Sequence, residues 1–177
     1  MLRSLFEWVD VLPSSIAMRE SLNGYPLALT AHVVSMALVA GIVIYWDMRL
    51  AGIALKRVPV SKIEDGLLLS SWAVIGVLLS VGSGLFMVYS QPMRYYGNFY
   101  FWIKNIFLLL AAVNAIYFHQ TIGKSMSSWE HNPVTPFKAR MAGLASLALW
   151  AGIIATGRMI AYSGLVPQWW INLGLGT

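Results

Sequence analysis

The chain has no cysteine. That absence removes disulfides, thiolate metal sites, covalent c-type haem attachment and iron–sulfur clusters together. Charge is scarce too. Only 11% of the 177 residues are Asp, Glu, Lys or Arg, against about 25% in a soluble domain. No acidic residue is expected in the middle of an apolar segment, so a carboxylate relay for protons or cations lacks its main component. A Gly-rich phosphate loop, a zinc-binding His pair and a nucleophile elbow are all missing from the sequence. There is no evident repeat and no low-complexity stretch.

What is present is apolar. Hydrophobic residues make up 58% of the chain, and mean hydropathy is +0.67. An integral membrane protein follows, short enough to form one domain over residues 1–177. The eight Trp and eight Tyr gather near segment ends, as interfacial aromatic belts do. The formal charge of +5 does not point to nucleic acid, because the basic residues fall mainly in loops on one side. Met1–Leu12 is not read as a signal peptide, since Glu7 and Asp10 interrupt it.

The expected fold is an all-α, integral membrane four-helix bundle preceded by interfacial helices over residues 1–24. Leu2, Leu5, Phe6, Val9 and Leu12 share one helical face, opposite Arg3, Glu7 and Asp10. Pro13 breaks that helix, and Ser14 and Ser15 are placed to cap a second one. Spans are expected at about 26–46, 67–89, 99–122 and 142–166, each near the ~20 residues that a bilayer requires. The linkers at 47–66 and 123–141 are read as polar, and the tail with Trp169 and Trp170 as an interfacial anchor. Arg49, Lys56, Arg57, Lys62, Lys124, Lys138 and Arg140 lie in the two long linkers, against Arg3, Arg19 and Arg94 on the other side. That asymmetry puts the linkers in the cytoplasm. The expected location is a bacterial inner membrane, with both termini in the periplasm.

Three titratable side chains interrupt the spans at one depth on the outer side. By a rise of 1.5 Å per residue, His32 lies roughly 9 Å, Lys104 roughly 8 Å and Arg158 roughly 12 Å from the ends of their expected spans. A charge in hydrocarbon costs on the order of 2.5–3.5 kcal/mol on insertion scales, so a shared layer suggests a ligand. Tyr162 lies one turn from Arg158 on the same face. Gly82-Ser83-Gly84 reaches the same level, and Gly76, Ser80 and Gly84 form a line of small residues that admits close approach. A planar, doubly anionic ligand suits this layer, and haem b is the candidate. His32 would supply an axial nitrogen, while Lys104 and Arg158 would pair with propionates. Asn105 and Met36 would help to line the pocket. Each element has a plainer reading. His32 can simply bond across helices, Lys104 and Arg158 can snorkel to headgroups, and the glycines can serve helix packing. Met87 is a weaker ligand candidate at the same level.

His119 falls near the cytoplasmic end of the third span, with Asp47, Arg49 and Arg140 expected nearby. It closes that end as a polar network, or it marks a second cofactor or proton-entry site. In a straight bundle it is too far from His32 to share one metal.

Tyr25-Pro26, His32, Asp47-Met48-Arg49-Leu50-Ala51-Gly52, Lys104, Asn114, His119, Gly157-Arg158 and Ala161-Tyr162 together resemble a family of small, uncharacterised bacterial four-span membrane proteins. His32 with Phe101-Trp102-Ile103-Lys104 is more distantly similar to the HemJ-type protoporphyrinogen oxidases and the CopD-type copper-resistance proteins. In the HemJ type a His in an early span and a Lys opening a later one are implicated in haem b binding. The resemblance therefore implies Lys104 as a second axial ligand. The flanking sequence differs, so only haem binding is carried over.

Three functional classes follow. The first is a b-type haem electron-transfer or redox subunit, with membrane lipids around it and a quinone or periplasmic redox protein as partner. The second is a non-redox binding or transport protein for a small anion or a lipid headgroup. The third is a cofactor-free accessory subunit of a larger membrane complex. Assembly as a homo-oligomer is compatible with each.

Overall fold

The computed structural model describes residues 1–68, 70–162 and 165–174. The expected spans included residues 69, 163 and 164, which lie outside that set. The fold is all-α, with no strand among the described residues. Its elements are α1 (Leu2–Asp10), α2 (Pro13–Glu20), α3 (Gly24–Leu50), α4 (Val60–Ile63), α5 (Ser71–Ser90), α6 (Pro92–Tyr96), α7 (Phe99–Tyr117), α8 (Phe137–Met159) and α9 (Gln168–Asn172). A π-helical turn over Phe118–Ile122 and a 3-10 turn over Gly123–Ser128 prolong α7. Four helices are long and apolar enough to cross a membrane: Gly24–Leu50, Ser71–Ser90, Phe99–Ser128 and Phe137–Met159. Leu78, Leu85 and Leu109 point outward on them, fully two-fifths exposed or more, as hydrocarbon-facing residues do.

The boundaries depart from the sequence expectation at both ends of the bilayer. The helix α3 runs on to Leu50, because Trp46 and Leu50 keep packing inward and bury Asp47 and Arg49 with them. The helix α8 starts at Phe137, directly after Pro136, and ends at Met159, several residues before the expected 166. Its carbonyls at Arg158 and Met159 are taken by the N–H groups of Ala161 and Tyr162, which tightens the chain into turns. Pro13, not a serine, opens α2. Ser14 and Ser15 instead bond the hydroxyl and carbonyl of Tyr89.

The chain divides into two compact units. The first comprises residues 1–36, 76–104 and 155–177, and the second residues 37–75 and 105–154. In the first, Phe6 of α1 packs on the rings of Tyr96 and Trp102. Asn98 caps α7, its Oδ1 accepting from the N–H groups of Tyr100 and Phe101. Trp170 of the tail donates to the Gly97 carbonyl, and with Trp169 it flanks Phe99.

In the second unit the core gathers Trp46, Leu50, Val60, Ile63, Phe118, Ile122 and Trp129 around the small face of α8. A Cβ on Gly143 would come within 2.8 Å of Leu50 Cβ, so α3 and α8 touch there almost backbone to backbone. Arg49 ties the loops to this core. It is fully buried and donates to the Val58 carbonyl, Thr135 Oγ1 and the carbonyls of Glu130 and Asn132 at 2.7–3.2 Å. Glu130 is pinned from the other side by the N–H of Ser61 at 3.2 Å. Hydrogen bonding from Ser61 holds its carboxyl below the usual carboxylate range.

Two outcomes are expected. Replacing Arg49 by Lys keeps the charge but loses the fork that reaches several acceptors. The Arg49→Lys protein should be destabilised by about 2–4 kcal/mol, read as a lowered thermal midpoint in detergent. A lowered folded-state pKa stabilises the fold above the ordinary carboxylate range, and that stability is lost as pH falls through the lowered value. Acid unfolding of wild type should therefore include a step below pH ~4.3 that Glu130→Gln removes.

Candidate functional site

The first unit brings His32 and Lys104 into direct contact. His32 lies in α3, where Gly24–Leu50 has no polar residue able to pair with it except its own Ser35, whose hydroxyl returns to the His32 carbonyl at 3.1 Å. The imidazole therefore reaches α5. Its Nδ1 stands 2.9 Å from the Ser80 carbonyl and 3.2 Å from Ser83 Oγ. A carbonyl only accepts, and Ser83 already donates to carbonyls of its own helix. The network therefore assigns the proton to Nδ1. That leaves Nε2 with a bare lone pair, which faces Lys104 Nζ at 3.3 Å.

Glycine eases this approach at one of two points. A Cβ on Gly84 would lie 3.1 Å from His32 Cε1, tight enough that the ring would have to give way by a few tenths of an ångström. A Cβ on Gly157 would lie 3.6 Å from Lys104 Nζ, in ordinary contact. The Nδ1–Cε1 edge of His32 thus lies against α5 and the ammonium of Lys104 against the end of α8. Gly82 does something else. Nothing lies within 4 Å of its missing Cβ, and it lines an apolar cavity of about 510 Å3 with Leu5, Phe6, Val9, Leu85 and Phe86.

Arg158 and Tyr162 form a separate pair in the same unit. Arg158 Nη2 donates to the Tyr162 hydroxyl at 2.9 Å, and the guanidinium carbon sits 5.2 Å from the ring centroid, within cation–π range. Because α8 ends at Met159, Arg158 occupies its last turn and is exposed. A cation is favoured there by the helix dipole. The depth counted from an end at 166 is too great for that reason. Among the described residues, neither Lys104 nor Arg158 has a carboxylate partner. Met36 is half-buried in the same unit. Asn105 falls in the second unit and has an interaction of its own. Ser80 is the functional neighbour that the sequence only hinted at. It sits in the small-residue line, but its contribution is a backbone carbonyl, which no residue type announces.

His119, in the second unit, stacks on Trp46 with ring centroids 6.0 Å apart and an interplanar angle of 14°. Its Nδ1 lies 3.4 Å from Glu64 Oε1. Burial pushes the Glu64 carboxyl up, and His119 pulls it back down. Asp47 joins His119 on the wall of one cavity, as expected from sequence. Arg49 turns to the loops instead, and Arg140 lies beside Gly52. Among the described residues no group of three or more His, Asp or Glu side chains could hold a metal ion.

A family model described as "Family of unknown function (DUF6644)" matches residues 21–163. The chain belongs to this family. The match takes in His32, Lys104 and Arg158 and leaves out α1, α2 and the tail. No curated protein matches the chain, and no solved structure does. Membership of DUF6644 accords with the four-span organisation and assigns no chemistry.

The two glycines give a paired test. Gly84→Ala should cost about 1–3 kcal/mol, because the imidazole is held on three sides and cannot yield. Gly157→Ala should change stability by less than about 0.5 kcal/mol. Thermal unfolding of the two variants checks the contrast, and equal effects would mean that His32 is not packed on α5.

Proposed function

We propose that this protein is a membrane-embedded b-type haem protein, an electron-transfer or redox subunit. Its site would face the periplasm of a bacterial inner membrane, with both chain termini on that side. The observation that carries the reading is the orientation of His32. Histidines that ligate metals almost always donate their other ring N–H to a carbonyl, carboxylate or water, which fixes the tautomer and aims the free nitrogen. The Ser80 carbonyl plays that part, and Nε2 is left as a ligand nitrogen within the span.

The donor set fits the group. Nε2 and Lys104 Nζ stand 3.3 Å apart and put two nitrogen donors side by side. His32 and Lys104 would together hold the iron, in keeping with the resemblance to HemJ-type proteins, or Lys104 would pair with a propionate. Arg158, exposed at the end of α8 and braced by Tyr162, is placed to pair with a propionate at the membrane surface. Gly84 lets the imidazole lie against α5. Haem bound in this way would supply one-electron chemistry. The chain's own contribution is to fix the ligand nitrogen, balance two propionate charges and keep carboxylates out of the layer. A membrane quinone or a periplasmic redox protein would exchange the electron.

The missing carboxylates also favour a second reading. Two cations without anionic partners among the described residues suit a small anion or a lipid headgroup, with no redox role. Colour separates the two. Protein purified after expression with haem supplied should show a Soret band that shifts on reduction. His32→Ala should lose at least tenfold of the haem, while Arg158→Ala should hold it less tightly with the axial signature unchanged. A colourless wild-type protein that is stabilised by added anions would select the second reading.

A further inference from the structure

The second unit contains a cavity of about 260 Å3 bordered by Trp46, Asp47, Asn114, Phe118, Ser146 and Trp150. Asp47 is the unusual member. It is 1% exposed, and α3 carries it into the span because the helix does not stop at Trp46. The Ser146 hydroxyl bonds its carboxyl group, yet Oδ2 accepts no hydrogen bond. Arg49, two residues away, offers no help, since its guanidinium is committed to the loop oxygens. A buried carboxylate with an unpaired oxygen is expensive to keep. Asn114 adds a second acceptor to the same wall. Its amide N–H donates to the Ala142 carbonyl at 3.0 Å, which leaves the amide oxygen as its remaining polar atom.

The rest of the wall is aromatic. Trp46, Phe118 and Trp150 border the cavity, with Phe118 edge-on to Trp46 at 5.0 Å. No Lys or Arg is among the lining residues, and the imidazole of His119, which also lines the cavity, is turned to a carboxylate of its own, with Nδ1 3.4 Å from Glu64 Oε1. Acceptors set among aromatic rings attract a cation. The aromatic faces favour an organic ammonium over a bare alkali ion, because a ring quadrupole is a softer site than a cage of oxygens. The volume suits a molecule of on the order of ten non-hydrogen atoms or fewer.

We propose that this cavity binds a small organic ammonium ion, whose N–H donates to Asp47 Oδ2 while its alkyl part lies against Trp46, Phe118 and Trp150. The site is built from the second unit alone and does not depend on the haem reading. Because two indoles border it, occupancy reports directly on tryptophan fluorescence.

The test titrates propylammonium into the full-length protein in detergent, with propanol and potassium ion as matched controls. Fluorescence and thermal midpoint are both read. Saturable fluorescence change and a raised midpoint with propylammonium alone are expected. Asp47→Asn should weaken binding at least tenfold, and Trp150→Leu should weaken it severalfold in a protein that keeps its carboxylate. Should Asp47→Asn not fold, Trp150→Leu and the propanol control still decide. No saturable response in wild type overturns the proposal. An equal response to potassium, or an unchanged response in both variants, overturns it as well.

Discussion

Hydrocarbon offers no hydrogen bonds, so each polar group carried into a span must find its partner within the chain. That constraint organises the structure. His32 reaches across to a backbone carbonyl of α5 because its own helix has none to give. Lys104 settles on the free lone pair of that imidazole. Asn114 bonds a carbonyl of α8, and Arg49 spreads over loop oxygens that water would otherwise solvate. Each of these bonds joins two chain segments, so meeting the polar requirement also fixes the packing. Among the described residues, Asp47 Oδ2 and Trp46 Nε1 are the buried side-chain atoms left without a partner, and both residues border one cavity.

Small residues decide where such bonds can form. Gly84 lets His32 lie close on a neighbouring helix, and Gly143 brings α8 onto α3 beside Asp47. Without a hydrophobic force between helices in lipid, close packing and interhelical bonds hold them together. The polar sites and the glycines are thus two aspects of one device: a close approach allows a short bond, and the bond holds the approach.

Much of this was legible in the sequence, and the failures have physical causes. Hydropathy located the spans, because long apolar runs have one use at this length. The His32 and Lys104 pairing was legible as a shared depth, and Arg158 with Tyr162 as a spacing of four. The end of α8 was not, because apolar residues beyond Met159 continue the hydropathic signal after the helix has turned. Asp47 and Arg49 read as the start of a polar linker, yet both are buried, since Trp46 and Leu50 around them extend the core by a turn. Charge alone does not reveal whether a residue leaves a helix or is carried into it. The Ser80 carbonyl carries no signature in the sequence, as every residue offers the same atom.

The central claim is that His32 is held with its proton on Nδ1 and its Nε2 free to act as a ligand. Nitrogen chemical shifts of histidine-labelled protein, assigned with the His32→Gln variant, measure this directly. The account predicts a protonated Nδ1 and a proton-free Nε2 at His32. A proton on Nε2 would contradict it.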